Sequence, residues 1–249
     1  MHPDLHVAGS RAPSALDYSV MRYYERWWEN QEDIRSIIFD RLNQIVRNRI
    51  SLRSPGTALD LGSGRGRVLS MLIEAGFETT AIEFNPHFAA TLRTRFPRAT
   101  VITADVRDWQ PEEEYDLVTC IELSQVLTHI EFGRLLTAFR PYTRRVITNV
   151  SNRRSLHGIW VRLRRFQAPF IVTYTPRDLV RVLENARYEV VFTAGVGFLT
   201  PLSLLREFKA PIVTQGVAKR FAKLDECFPN LAHLLLVEAE PKAVPEALA

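Results

Sequence analysis

The stretch "TALDLGSGRGRVL" (57–69) constrains the fold more than any other part of the chain. Five residues of mostly apolar, β-compatible character run into Gly62, Gly64 and Gly66 and then into a helical pattern. Glycines in such a turn let the backbone take left-handed conformations and approach a ligand closely. A strand, a glycine-rich turn and a helix in that order form the first unit of an open α/β sheet. In such a sheet ligands sit at the carboxyl ends of the strands.

The same alternation continues downstream. "ETTAIE" (78–83) reads as a second strand, "ATVIT" (99–103) as a third, "YDLVTCI" (115–121) as a fourth and "RRVITNV" (144–150) as a fifth. "YEVVFTA" and "LAHLLLVEAE" (231–240) supply two more. Helical patterns lie between them. Gly76 is placed to cap the first, and Asn85-Pro86 and Thr175-Pro176 mark helix starts. The expected fold is α/β: a Rossmann-like, seven-stranded, mostly parallel sheet with helices on both faces. Residues 1–50 form an N-terminal helical extension, 51–240 the ligand-binding domain with insertions near 151–174 and 198–229, and 241–249 a tail.

Composition bounds the function. The chain has 249 residues, 46% of them hydrophobic, enough for one sizeable core. No apolar run approaches the ~18 residues of a membrane span, and the first residues lack a basic stretch leading into an apolar one. Two isolated cysteines, Cys120 and Cys227, make neither a disulfide framework nor a zinc motif, and no metal-ligand cluster stands out. A cytoplasmic location is the expectation. A net charge of +4 permits an anionic partner without requiring one.

The glycine spacing is G-x-G-x-G. A dinucleotide fingerprint wants a glycine at 67, where the chain has Arg, and the phosphate-cradling G-x-x-x-x-G-K-S/T loop is absent. Asp60 lies two residues before Gly62, where a carboxylate repels pyrophosphate and attracts a cation. With Asp60, the stretch resembles the E/D-x-G-x-G-x-G motif of the class I S-adenosylmethionine (SAM)-dependent methyltransferases. "LTHI" (127–130) and "YTPRDLVRVLENARYEVV" (174–191) are similar to the ubiquinone/menaquinone-type small-molecule branch. That branch's His-x-Arg before Tyr-Thr is absent, the residues being Phe170, Val172 and then Tyr174-Thr175.

The resemblance implies SAM as cofactor, held by Asp60, Gly62, Ser63, Gly64 and Gly66. Glu83, with Phe84 beside it, is matched to the acid that grips the ribose hydroxyls. Asp105 and the Val106 backbone are matched to the adenine contacts, and Ile121 and Glu122 to the lining of the methionine part. Candidate catalytic residues are His129, Glu122 and Tyr174. His129 has a side chain that titrates near neutrality, although a histidine at a helix start also serves packing. Methyl transfer from a sulfonium is a direct displacement, so aligning the reactants matters more than supplying reactive groups. The expected acceptor is an oxygen, with nitrogen or carbon as the lesser alternatives, of a small, largely apolar or lipid-linked metabolite of secondary or lipid metabolism.

Two other readings stay open: methylation of RNA or protein, and a SAM-binding module without catalysis. The aromatic run Tyr18, Tyr23, Tyr24, Trp27 and Trp28 packs on the sheet edge or closes over the acceptor. Residues 153–166 combine arginines with an apolar stripe of Leu156, Ile159, Trp160, Leu163 and Phe166. Such a segment is an ordinary surface helix, a lid, or a site of peripheral membrane contact. Nucleic acid is the less favoured partner, and the oligomeric state is open.

Overall fold

The computed structural model describes residues 34–164, 171–198 and 224–243. The order of elements is α1 (Ile34–Ser51), β1 (Thr57–Leu61), α2 (Arg67–Glu74), β2 (Glu78–Glu83), α3 (Pro86–Arg95), β3 (Thr100–Thr103), β4 (Leu117–Cys120), α4 (His129–Phe139), β5 (Val146–Ser151), α5 (Leu156–Arg164), α6 (Pro176–Asn185), β6 (Tyr188–Val196) and β7 (Leu234–Pro241). The seven strands make one sheet in the order β3-β2-β1-β4-β5-β7-β6. All neighbours are parallel except β7, which runs antiparallel to both β5 and β6.

The central strands of this sheet are covered on both faces, and successive side chains point to opposite sides. On one face Leu59, Leu61, Val118 and Val150 pack against Phe132, Leu135 and Phe139 of α4 and Leu179 and Leu183 of α6. On the other face Ala58, Leu117, Ile147 and Leu236 meet Leu42, Val46 and Ile50 of α1 and Val68 and Leu72 of α2. The result is the expected three-layer α/β/α sandwich.

Local chemistry sets the helix starts. The Asn85 side chain accepts from the backbone of His87 and Phe88, with Pro86 at the first helical position. Thr128 and Glu131 form a capping box at the start of α4, and Thr175 and Asp178 form another at α6. The fourth strand is shorter than its apolar run, Leu117–Cys120, because Ile121 already belongs to the turn into the ligand crevice. The expected insertion near 151–174 holds α5, and an isolated parallel bridge pairs Asn152 with Tyr174. The aromatic run at 18–28, Phe166 and most of the 198–229 insertion lie outside the described residues.

Candidate active site

Chain order reverses between β1 and β4, so a crevice opens at their carboxyl ends. Its floor begins with the glycine turn. Gly62, Gly64 and Gly66 all have positive φ, at 69°, 55° and 80°. Gly62 and Ser63 donate their amides to the Ile82 carbonyl, which ties the turn to β2. A Cβ at Gly64 would meet nothing within 4 Å, so space opens above that residue. At Gly66 the reason for glycine is packing: a Cβ would lie 2.4 Å from the Phe96 ring and 2.6 Å from Leu92.

Carboxylates surround this turn. Asp60 is 2% exposed. Its Oδ1 accepts from the Thr119 hydroxyl at 2.7 Å, and its Oδ2 is buried without a hydrogen-bond partner. Burial pushes its carboxyl above the usual range. Ser63, also buried, donates its hydroxyl to the Asp60 carbonyl. Glu83 ends β2 and accepts from the Gly64 amide at 2.6 Å and the Asn85 amide at 2.8 Å, one on each oxygen. Burial raises this carboxyl too. Phe84 beside it is half-buried.

Glu122 stands just past β4 with φ of 66°, an uncommon conformation for a residue with a side chain. Its amide donates to Asn149 Oδ1 at 2.7 Å, and its carboxylate accepts from Asn149 Nδ2 and Gln125 Nε2. Burial raises the Glu122 carboxyl. Ile121 is buried at the same turn. Arg67, the first residue of α2, interacts electrostatically with both Asp60 and Glu122. Its guanidinium also donates to Asn43 of α1 and lies 5.3 Å from the centre of the Phe39 ring.

Asp105 follows β3 and is buried, with the side chain of Arg107 forked onto both of its oxygens. Val106 is buried beside it. A cavity of about 330 Å³ opens next to this turn, lined by Val106, Arg107, Gln110, Glu131, Arg134 and Leu135 among others.

The candidates for proton transfer are placed differently from one another. His129 is half-buried at the start of α4, its Nε2 3.1 Å from the Thr173 carbonyl and its ring 4.1 Å from that of Tyr174. Tyr174 is fully buried and its hydroxyl donates to the Leu127 carbonyl at 3.5 Å. Burial raises its phenol. His129 and Tyr174 thus pack on each other, while Glu122 alone of the three adjoins the glycine turn through Arg67.

Arg67, Thr119, Gln125 and Asn149 also belong to the site. No local motif marks them, because each meets the site only when separate strands and loops come together.

A two-helix-layer fold with this strand order and an acid-flanked glycine turn can be set beside known proteins. Residues 58–145 match the family model of a methyltransferase domain. Trans-aconitate 2-methyltransferase of Escherichia coli O1:K1 is 33% identical over 97 residues, which covers 37% of this chain and 38% of that protein. The Shigella flexneri serotype 5b protein of the same name is 32% identical over the same extent. The match therefore spans well under half the length of these relatives. In overall fold, the chain is similar to magnesium protoporphyrin IX methyltransferase from Synechocystis PCC 6803, solved with S-adenosylhomocysteine (SAH) bound. The TM-score is 0.65 at 14% identity, covering 91% of this chain and 97% of that one. The matched methyltransferase-domain segment includes Asp60, the three glycines, Glu83, Asp105 and Glu122.

Proposed function

We propose that the protein is a SAM-dependent methyltransferase acting on an oxygen of a small, largely apolar or lipid-linked metabolite. The observation that carries the cofactor assignment is the charge of the cradle. Asp60 and Glu122 set two carboxylates on one guanidinium, that of Arg67, and Glu83 adds a third carboxylate on the Asp60 side. With all four ionised the cradle carries two net negative charges. SAM brings an ammonium, a sulfonium and one carboxylate, so its net charge is positive. A pyrophosphate would add negative charge to the same floor.

The residues fit that cofactor individually. Asp60 Oδ2, buried and unpartnered, suits the ammonium. Arg67 suits the carboxylate of the methionine part. Each Glu83 oxygen keeps a lone pair beyond its one backbone bond, enough for two ribose hydroxyls. The space above Gly64 takes the ligand's approach to the backbone. Asp105, with Val106, faces the adenine end once Arg107 shares it. The cofactor supplies an activated methyl group; the chain binds it, orients it and excludes water. His129 and Tyr174 serve packing in this reading, and Glu122 belongs to the cofactor cradle.

The acceptor belongs above β4, β5 and the start of β7. There α5 exposes Leu156, Ile159 and Leu163, the last 79% exposed, beside Arg153 and Arg154. An apolar wall next to cationic side chains favours an apolar body with an anionic or lipid-linked end.

Calorimetry with SAM, SAH and NAD tests the cofactor: the first two bind and NAD does not. Glu83→Ala weakens SAM binding by about 1–3 kcal/mol through loss of hydrogen bonds to a charged group. NAD binding without SAM binding overturns the reading. Incubation of cell extract with methyl-labelled SAM tests the acceptor. Label in an organic-soluble metabolite is expected. Label in RNA or protein moves the assignment to those acceptors, and cofactor binding without any labelled product makes the chain a non-catalytic module.

A further inference from the structure

The turn after β4 contains a device that the cofactor assignment does not require. Glu122 is held in a left-handed conformation without being glycine. Strain of this kind persists only where the surroundings over-determine it. Here a single residue does most of the holding. Asn149 is fully buried on β5, and three of its groups face the turn. Its Oδ1 accepts from the Glu122 amide at 2.7 Å, its Nδ2 donates to the Glu122 carboxylate, and its carbonyl accepts from the Ser124 hydroxyl at 2.6 Å. The side-chain amide thus binds both ends of Glu122, its main-chain donor and its acid. Gln125, at the end of the same turn, donates to the other carboxylate oxygen.

We infer that Asn149 is a positioning residue acting through Glu122: it locks the left-handed turn and holds the Glu122 carboxylate in place for the cationic end of the ligand. The inference rests on the cofactor reading above. The groups facing the carboxylate are Asn149 from β5, Gln125 from its own turn and the Arg67 guanidinium from α2, with the Asp60 carboxylate of β1 across Arg67. Asn149, Gln125 and Arg67 all favour the ionised form, and burial opposes it. Removing the Asn149 donor leaves burial less opposed, so Glu122 holds its proton to higher pH. A side chain that served packing alone would have no such effect.

The experiment compares full-length wild type, Asn149→Leu, Glu122→Gln and the double variant. SAM affinity is read by calorimetry from about pH 5.7 to 7.2, below the pKa of a free α-amino group at about 7.7–8.0. The ratio of Asn149→Leu to wild-type Kd is expected to rise severalfold from the upper to the lower pH, because the variant's Glu122 takes up its proton earlier as pH falls. In the Glu122→Gln background the same ratio is expected to be flat. A ratio that is flat in both backgrounds, or that rises in both, overturns the inference.

Gln125→Met removes the other donor with little change of shape, and it carries the same test should Asn149→Leu not fold. Should SAM fail to bind wild type, the cofactor reading falls and the lock is decided on ligand-free protein. An acid whose folded pKa is raised loses stability as pH climbs from its ordinary value through the raised one. The melting-temperature deficit of Asn149→Leu is therefore expected to grow from pH 5 to 7.5, and only while Glu122 is present. A deficit independent of pH overturns the lock.

Discussion

Gly66 shows how one residue can be under two constraints. Its φ of 80° is a conformation that side chains rarely adopt, and a Cβ there would overlap Phe96 and Leu92. Gly66→Ala is expected to destabilise the fold by about 1–3 kcal/mol, read by denaturant unfolding, because both backbone strain and overpacking act. Gly64 shares the strain and has open space instead, so Gly64→Ala should cost less stability and more cofactor affinity. The spacing of the glycines was visible in the sequence. Which of them faces a ligand and which faces a phenyl ring was not, since Phe96 lies at the far end of α3.

Elements in this fold start where their side chains close them. Thr128 accepts from the Glu131 amide while Glu131 reaches back to the Thr128 amide, and the α4 that follows carries Phe132, Leu135 and Phe139 into the core. Thr128→Ala is expected to cost about 1 kcal/mol in unfolding free energy, with Thr128→Ser restoring most of it. The helix and strand positions were legible because capping residues and apolar periodicity are local signals. The structure starts α4 at His129 because Thr128 caps it. His129 is therefore an end-of-helix residue stacked on Tyr174, a contact between segments 45 positions apart that no local pattern announces.

Across the whole molecule, one buried carboxylate ties the N-terminal helix to the last strand. Glu238 on β7 is fully buried and accepts from Arg49 at 2.5 Å, Arg53 at 2.9 Å and Arg145 at 2.8 Å. Glu238→Ala is expected to destabilise the protein by about 3–5 kcal/mol, because it leaves the partly buried Arg49 and Arg53 without their counter-charge while Arg145 keeps Glu240. A global unfolding midpoint unchanged within error would show that the arginines find other partners.

The cradle makes the stability of the molecule depend on pH. Burial raises the folded pKa values of Asp60, Glu83 and Glu122. Each then weighs against folding as pH rises above the ordinary carboxylate value, where the buried group must ionise. A cationic ligand favours the ionised forms. The rise in melting temperature produced by saturating SAM is therefore expected to be larger at pH 7 than at pH 5. A rise that shrinks over that interval would contradict the cradle's charge.

By itself the sequence determined the three-layer sheet, the order of its parallel units and the glycine turn with its flanking acids. Those features are written in local alternation, in capping residues and in glycines that must take positive φ. Tertiary structure decided the rest. It left Asp60 Oδ2 without a partner, forked Arg107 onto Asp105, brought Arg67 between two carboxylates and set Asn149 against Glu122. These are pairings between polar groups on different strands and loops. Their energies depend on the distance and burial created when the sheet closes, and the order of residues along the chain carries no measure of either.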